Sequence, residues 1–252
     1  MNIQYAVRGS DVYLLEVNPR ASRTVPFVSK AIGAPLAKLA ARVMAGKTLR
    51  ELGFTEDPTP AYVSAKEVVL PFIKFPGVDI LLGPEMRSTG EVMGIDATMG
   101  LAYAKSQIAA GNTLPTKGTV FLSLKRQHPG EEEEIARSLD ALGFRILATE
   151  GTAARLAALG IAAEEVAKVG ESRPNILDRI INGDVDWIVN TPLGGDAKED
   201  ERAIRRAAIE RGIPIMTTLA AARAGLAGIK ALRESTAHVL SLQEYHAGAF
   251  GK

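Results

Sequence analysis

From Gly118 onward the chain alternates short apolar runs with longer stretches of helical period, and this alternation limits the possible folds more than any other feature. "TVFLSL", "FRILAT", "DWIVN", "IPIMTT" and "AHVLSL" read as strands. Between them "EEEEIARSLDAL", "TAARLAAL", "NILDRIING", "KEDERAIRRAAIERG" and "LAAARAGLAGIKAL" read as helices. A helix between successive strands returns the chain to the same end of the sheet, so the strands run parallel and the helices cover both faces. The expected fold class is therefore α/β, with an open, doubly wound parallel sheet over residues 118–252. Sheets of this kind bind ligands beyond the carboxyl ends of their strands. The four glutamates at 131–134 fit a solvated first helical turn favoured by the helix dipole.

The first part of the chain has a different rhythm. "NIQYAV" and "DVYLLEV" read as two strands joined by Arg8, Gly9 and Ser10, a hairpin that is marginal alone and calls for a larger sheet. "PLAKLAARVMAG" places Leu36, Leu39, Ala40, Val43 and Met44 on one helical stripe, with Pro35 suited to the first turn and Gly46 to the stop. "AYVSAKEVVLPF" reads as a strand, "GPEMRSTGEVMG" as turns and a short strand, and "ATMGLAYAKSQIAAG" as a helix. "GNTLPTKG" at 111–118 has the composition of a linker, which sets the expected domains at 1–112 and 118–252.

Two groups of residues carry possible chemistry. In "LLEVNPRASRTVPF", Glu16 and Asn18 lie two residues apart on a strand and so share a face, an arrangement suited to a hard cation. Pro19 ends the ladder, and the following turn carries Arg20 and Arg23, whose forked donors suit phosphate or carboxylate. An ordinary strand end with surface arginines reads equally well from the pattern. In the second part, "TEGTAAR" puts Thr149, Gly151 and Thr152 at a helix N-terminus, where backbone N–H groups favour an anion. Ser123, Asn190 and Thr191 end their own strands at the same edge, and Lys168 can bring an ammonium over it. This is either a pocket for a small phosphorylated ligand or a set of N-caps.

Composition removes other classes. No apolar run approaches the roughly 18 residues that span a bilayer, and the start lacks a signal-peptide pattern, so a cytoplasmic protein without membrane partners is expected. With 30 basic against 29 acidic residues there is no charge excess to attract nucleic acid. The absence of cysteine removes disulfides and thiolate zinc sites, and only three histidines are present, which leaves oxygen-ligated metals.

"EVNPRASRTVPFVSKA", "KEVVLPFIKFPGVDILLGPEMRSTGEVMG" and the run from Gly118 closely resemble the C-terminal part of the large subunit of the carbamoyl-phosphate synthase family. The resemblance covers essentially the whole chain. It implies the tail of the second ATP-grasp unit, the half that phosphorylates carbamate, followed by a methylglyoxal-synthase-like regulatory domain. It further implies Glu16 and Asn18 as Mg or Mn ligands bridging ATP phosphates, with Arg20 and Arg23 steadying carbamate and the transferred phosphoryl group. Phosphoryl transfer needs chiefly positioning and charge neutralisation, in keeping with such a set. By resemblance the regulatory domain holds a nucleoside monophosphate such as UMP or IMP, with Thr149, Thr152, Lys168 and Asn190 at family binding positions and Ser123 and Thr191 joining them. The implied partners are the remainder of the large subunit, a small glutaminase subunit and further copies through the regulatory domain, in pyrimidine and arginine synthesis. The family's adenine pocket, phosphate-covering loop and upstream metal ligand match no segment here, so this polypeptide alone is expected not to turn over ATP.

Pro129 and Pro192 stand where some members carry lysine and threonine, each removing a donor. Glu67, Leu70 and Thr217 match an ornithine site of some members, yet Ile215 and Met216 replace its polar pair, which argues against ornithine. A methylglyoxal synthase of the same fold needs a carboxylate base where "ESRPNILD" offers Asn175, and an amide cannot take the proton. An oligomerisation module is a third reading.

Overall fold

A computed structural model of the chain describes residues 1–69, 90–124, 129–191 and 198–248. By packing, the chain forms two compact units, one of Met1–Tyr62 with Val239–Lys252 and the other of Val63–His238.

In the first unit, β1 (Asn2–Arg8) and β2 (Asp11–Asn18) form the expected antiparallel hairpin, turning at Gly9, whose φ of 62° lies in the left-handed region. Two helices follow, α1 (Val25–Ile32) and α2 (Leu36–Met44). α2 stops before Gly46 as its sequence predicts, but the stripe it carries is not covered: none of its residues is buried, and Val43 and Met44 are exposed. α1 has no counterpart among the expected elements; Pro26 in its first turn and left-handed Gly33 at its end are the signals that define it. The unit is closed by α9 (Leu242–His246). The Tyr62 hydroxyl donates to the Ala31 carbonyl at 2.7 Å, the Tyr62 and Tyr245 rings meet edge-on at 5.5 Å, and His246 Nε2 donates to the Lys30 carbonyl at 2.8 Å.

The strand expected over "AHVLSL" does not form. Val239 is 92% exposed, and Ser241 instead opens α9 through a reciprocal capping box with Glu244. The "SLQE" spacing is that of a helix start, and its two paired backbone groups outweigh a weak alternation of apolar residues.

In the second unit, β3 (Val63–Val69) pairs antiparallel with β4 (Gly90–Asp96), and α3 (Met99–Ala109) packs on them. Lys105 joins Asp96 at 2.5 Å with both side chains largely buried, a pair that needs its further bond to the Ile95 carbonyl. Leu70 and most of the turns expected after it lie outside the described residues.

The parallel sheet is built from β5 (Thr119–Ser123), β6 (Arg145–Ala148), β7 (Glu164–Glu165), β8 (Trp187–Asn190) and β9 (Ile215–Met216), in the order β7-β6-β5-β8-β9. The expected helices are present as α4 (Pro129–Ala141), α5 (Glu150–Ala158), α6 (Ile176–Ile181), α7 (Lys198–Arg211) and α8 (Leu219–Glu234). β7, at two residues, is too short to show a pattern, and its sequence gives no warning of it. Alternate residues feed opposite faces. Val120, Leu122, Ile146 and Trp187 meet Ile135 and Leu139 of α4 and Leu226 and Ile229 of α8. Phe121, Leu147 and Ile188 meet Ile176 and Ile180 of α6 and Ile204 and Ala208 of α7. These strands are apolar on both faces because both are covered, as the continuous apolar runs required.

The stretch expected as a linker runs as turns and irregular chain, with Leu114 2% exposed and packed in the first of these layers. α8 approaches β8 closely because Gly225 has no side chain: a Cβ there would stand 2.8 Å from Trp187 Cζ2. Gly225→Ala is expected to lower stability by about 1–3 kcal/mol through overpacking against a ring that has no room to shift. Thermal denaturation followed by circular dichroism measures it, and an unchanged midpoint would contradict this packing.

Candidate functional site

The order of the sheet sets the place of the site. From β5 the chain passes first to β6 and β7 on one side, then to β8 and β9 on the other, so the connections leave β5 and β8 in opposite directions. A crevice opens beyond the carboxyl ends of two such strands. Ser123 and Asn190, the last residues of β5 and β8, are register partners, and the Thr191 N–H donates to the Ser123 carbonyl at 3.0 Å, which fixes both ends at one level. Thr149 follows β6 directly and is the N-cap residue of α5.

A cleft of about 210 Å³ lies at this edge, and Ser123, Thr149, Thr152, Lys168 and Asn190 all line it. Thr191 is half-buried next to it and takes part through its backbone bond to Ser123, without lining the cleft. Five of the six expected ligand residues, drawn from four separate segments, thus converge.

Their hydrogen bonding separates a pocket from a set of caps. Thr98, Asn175, Thr218 and Ser241 each accept from the first turn of their helix. Thr149 occupies the same position on α5 with 8% exposure, and its side chain makes no capping bond. The Asn190 carboxamide is 4% exposed and lines the cleft, and no hydrogen bond among the described residues uses it. Its donor and acceptor are therefore open to the cleft. Thr152, 4% exposed, accepts at Oγ1 from the Leu124 N–H at 3.4 Å and from Arg155 Nη2 at 3.3 Å.

Lys168 is held to one side. Its backbone N–H donates to Glu171 at 3.0 Å and its ammonium to the same carboxylate at 3.1 Å. These contacts, the backbone bond foremost, hold the Glu171 carboxyl below its ordinary value. As the folded value is depressed, the tie is present at neutral pH and is lost as pH falls through that lowered value.

Three charged lining residues lie outside the expected set: Arg155, Asp200 and Glu201. Arg155 lies three residues beyond Thr152, one helical turn along the same face, which is the signal that could have found it. Asp200 and Glu201 stand in the first turn of α7, and in a doubly wound sheet every helix after a strand starts at the ligand edge. Both bring a carboxylate to the lining of the cleft.

Asn175 is committed elsewhere: its Oδ1 accepts from Leu177 N at 3.0 Å and Asp178 N at 3.3 Å, and Asp178 accepts from the Asn175 N–H in return. The position where a methylglyoxal synthase needs its base is therefore a helix cap. At the ornithine-like position, Glu67 already accepts from Gln107 at 2.6 Å, while the Tyr103 hydroxyl meets Met216 Sδ at 3.5 Å. Burial first, and the Glu67 charge second, push Tyr103 up to about 12. Leu70, His128 and Pro192 lie outside the described residues, as does the side chain of Pro129.

In the other unit, Glu16 and Asn18 share a face of β2 as expected, Asn18 Nδ2 donating to Glu16 Oε1 at 2.9 Å. Arg20 and Arg23 follow, exposed, with Arg20 Nη1 donating to the Ala21 carbonyl at 3.1 Å. Among the described residues no group of three or more His, Cys, Asp or Glu could hold a metal ion. Among them, too, no helix is long and apolar enough to cross a membrane.

Two family models match separate parts of the chain. Residues 131–217 match the model of the MGS-like domain, and residues 1–52 match that of the carbamoyl-phosphate synthase L chain, ATP binding domain. The chain is 56% identical over 251 residues to the carbamoyl phosphate synthase large chain of Rhodopirellula baltica, covering 98% of this chain and 23% of that one. It is 55% identical over 247 residues to that of Archaeoglobus fulgidus, again 98% and 23%, and 53% identical over 246 residues to that of Synechocystis. The chain thus spans 23% of the length of these relatives. Aligned with them along nearly its whole length at better than half identity, the chain is a homologue of part of the carbamoyl phosphate synthase large chain, the part that joins an ATP-binding segment to an MGS-like domain.

Proposed function

We propose that this chain provides the regulatory, nucleotide-sensing part of a carbamoyl phosphate synthase large chain together with a portion of its carbamate-phosphorylating site. In this reading the division of labour falls near residues 112–118, and the complete enzyme makes carbamoyl phosphate from ATP for pyrimidine and arginine synthesis in the cytoplasm. It works with a small glutaminase subunit and associates with further copies through the regulatory domain. The observation that carries the sensing role is the pair of buried, uncommitted side chains, Thr149 and Asn190, facing one cleft at the N-terminus of α5. A helix N-terminus flanked by hydroxyl and amide donors suits the phosphate of UMP or IMP. Asp200 and Glu201 offer acceptors to the hydroxyl and N–H groups of the same nucleotide.

The hairpin's role follows from its donor set. Glu16 and Asn18 would share an Mg or Mn ion with ATP phosphates, and Arg20 and Arg23 would neutralise the transferring group. Such an ion lends charge neutralisation to the phosphoryl group; the residues here contribute one carboxylate, one carboxamide oxygen and two guanidinium groups. One or two protein oxygens are a usual share for such a metal, the rest of its coordination being filled by phosphate oxygens, water or further residues.

Isothermal calorimetry with UMP and IMP tests the sensing role. Binding of either is expected, and absence of heat with both contradicts it. Lys168→Ala is expected to weaken binding by about 1–3 kcal/mol if the ammonium turns from Glu171 to phosphate, whereas Glu171→Gln, which frees that ammonium, should strengthen it by a modest factor because exposed ion pairs are weak. A phosphate-release assay should find no ATP hydrolysis by the 252-residue polypeptide; turnover would contradict the partial site.

A further inference from the structure

Among the described residues Arg155 is the one lining cation of the cleft that none of the expectations named, and its contacts differ from those of Lys168. The Lys168 ammonium is tied to a single carboxylate, whereas the Arg155 guanidinium also holds backbone: Nη2 donates to the Leu124 carbonyl at 2.7 Å and Nη1 to the Gly151 carbonyl at 2.9 Å. It thereby bridges the chain just after β5 to the first turn of α5. Glu132, 7% exposed, stands 3.6 Å from its Nε.

The bond with consequence is the one to Thr152. A hydroxyl has two lone pairs and one proton. At Thr152 Oγ1 the lone pairs are engaged by the Leu124 N–H and by Arg155 Nη2, so what the hydroxyl has left is its proton. The side chain is buried and lines the cleft. We propose that Arg155 is a positioning and specificity residue of this cleft, which by occupying Thr152 makes that hydroxyl an obligate donor and so tunes the site to a group that only accepts, a phosphate dianion. The guanidinium adds its own charge to the same end, and its fork lets Nη2 serve the Leu124 carbonyl and the Thr152 hydroxyl while Nη1 reaches the Gly151 carbonyl, a pair of separate donor nitrogens that lysine does not have. Nothing comparable acts on Asn190, whose carboxamide can present either donor or acceptor.

This inference rests on the phosphate-binding reading of the cleft, and the experiment separates the two. Calorimetry is run with UMP and with uridine on the full chain, on Arg155→Met, on Thr152→Val and on the double variant. If the unmodified chain binds neither ligand, the phosphate reading fails and this inference with it. If it binds UMP, Arg155→Met is expected to lose roughly tenfold to a hundredfold in UMP affinity while uridine binding changes little. In the Thr152→Val background the same change should cost markedly less, because the hydroxyl through which Arg155 acts is gone. Additive losses, unchanged UMP affinity, or equal losses for UMP and uridine would each overturn the proposal with the phosphate reading intact. Should Arg155→Met lack a cooperative thermal transition, Arg155→Lys takes its place in the cycle. Lysine keeps the charge, and on this account it recovers only part of the UMP affinity.

Discussion

Everything at the ligand edge depends on the parallel pairing of β5 with β8. That register sets Ser123 against Asn190, and the bond from the Thr191 N–H to the Ser123 carbonyl carries the ladder past the last residue of β8. On its other side β5 pairs with β6 through Leu122 and Ala148, so Thr149 emerges at the same height. A slip of one residue in either pairing would exchange the faces of the strand and turn Phe121 toward the helices that now cover Val120 and Leu122. The cost of that exchange, two apolar layers at once, is what keeps three strand ends level without any ligand present. The cleft is thus preorganised by the core beneath it.

The polar groups at that edge divide into those with partners and those without. Asn175 and Asp178 satisfy each other at the start of α6. Thr152 and Arg155 are held by the chain that follows β5. Thr149 and Asn190, buried to a similar degree, are not. Both line one cleft, where their polar atoms are open to an incoming group. Asp200 and Glu201 in its lining keep that cleft from being uniformly cationic, which suits a ligand with an anionic end and a hydroxyl-bearing end better than a simple anion.

Much of this was legible in the sequence, and the parts that were not have physical causes. The alternation after Gly118 specifies a parallel sheet because helical crossovers permit little else. Strand ends, and hence Ser123, Thr149 and Asn190, follow from the same pattern once the ligand edge is known. Arg155 escaped because a charged residue on an amphipathic helix is usually a solvated one, and only its bonds to Leu124 and Gly151 distinguish it. "AHVLSL" misled because apolar alternation over six residues is weak against a capping box one residue from its end. In the hairpin, Leu14, Leu15 and Val17 were legible as strand residues, yet all three are exposed. A strand pattern reports that a residue suits a sheet, while burial depends on what packs against it.

The central claim is that the sheet's carboxyl edge, fixed by the β5 and β8 register, receives a phosphate between the start of α5 and Asn190. Amide chemical-shift mapping of the isotopically labelled chain titrated with UMP tests it most directly. The account predicts the largest changes at the backbone amides of Gly151, Thr152 and Thr191 and at the Asn190 carboxamide, saturating together. Changes confined to other surfaces, or a spectrum unaltered at these positions while UMP binds, would contradict it.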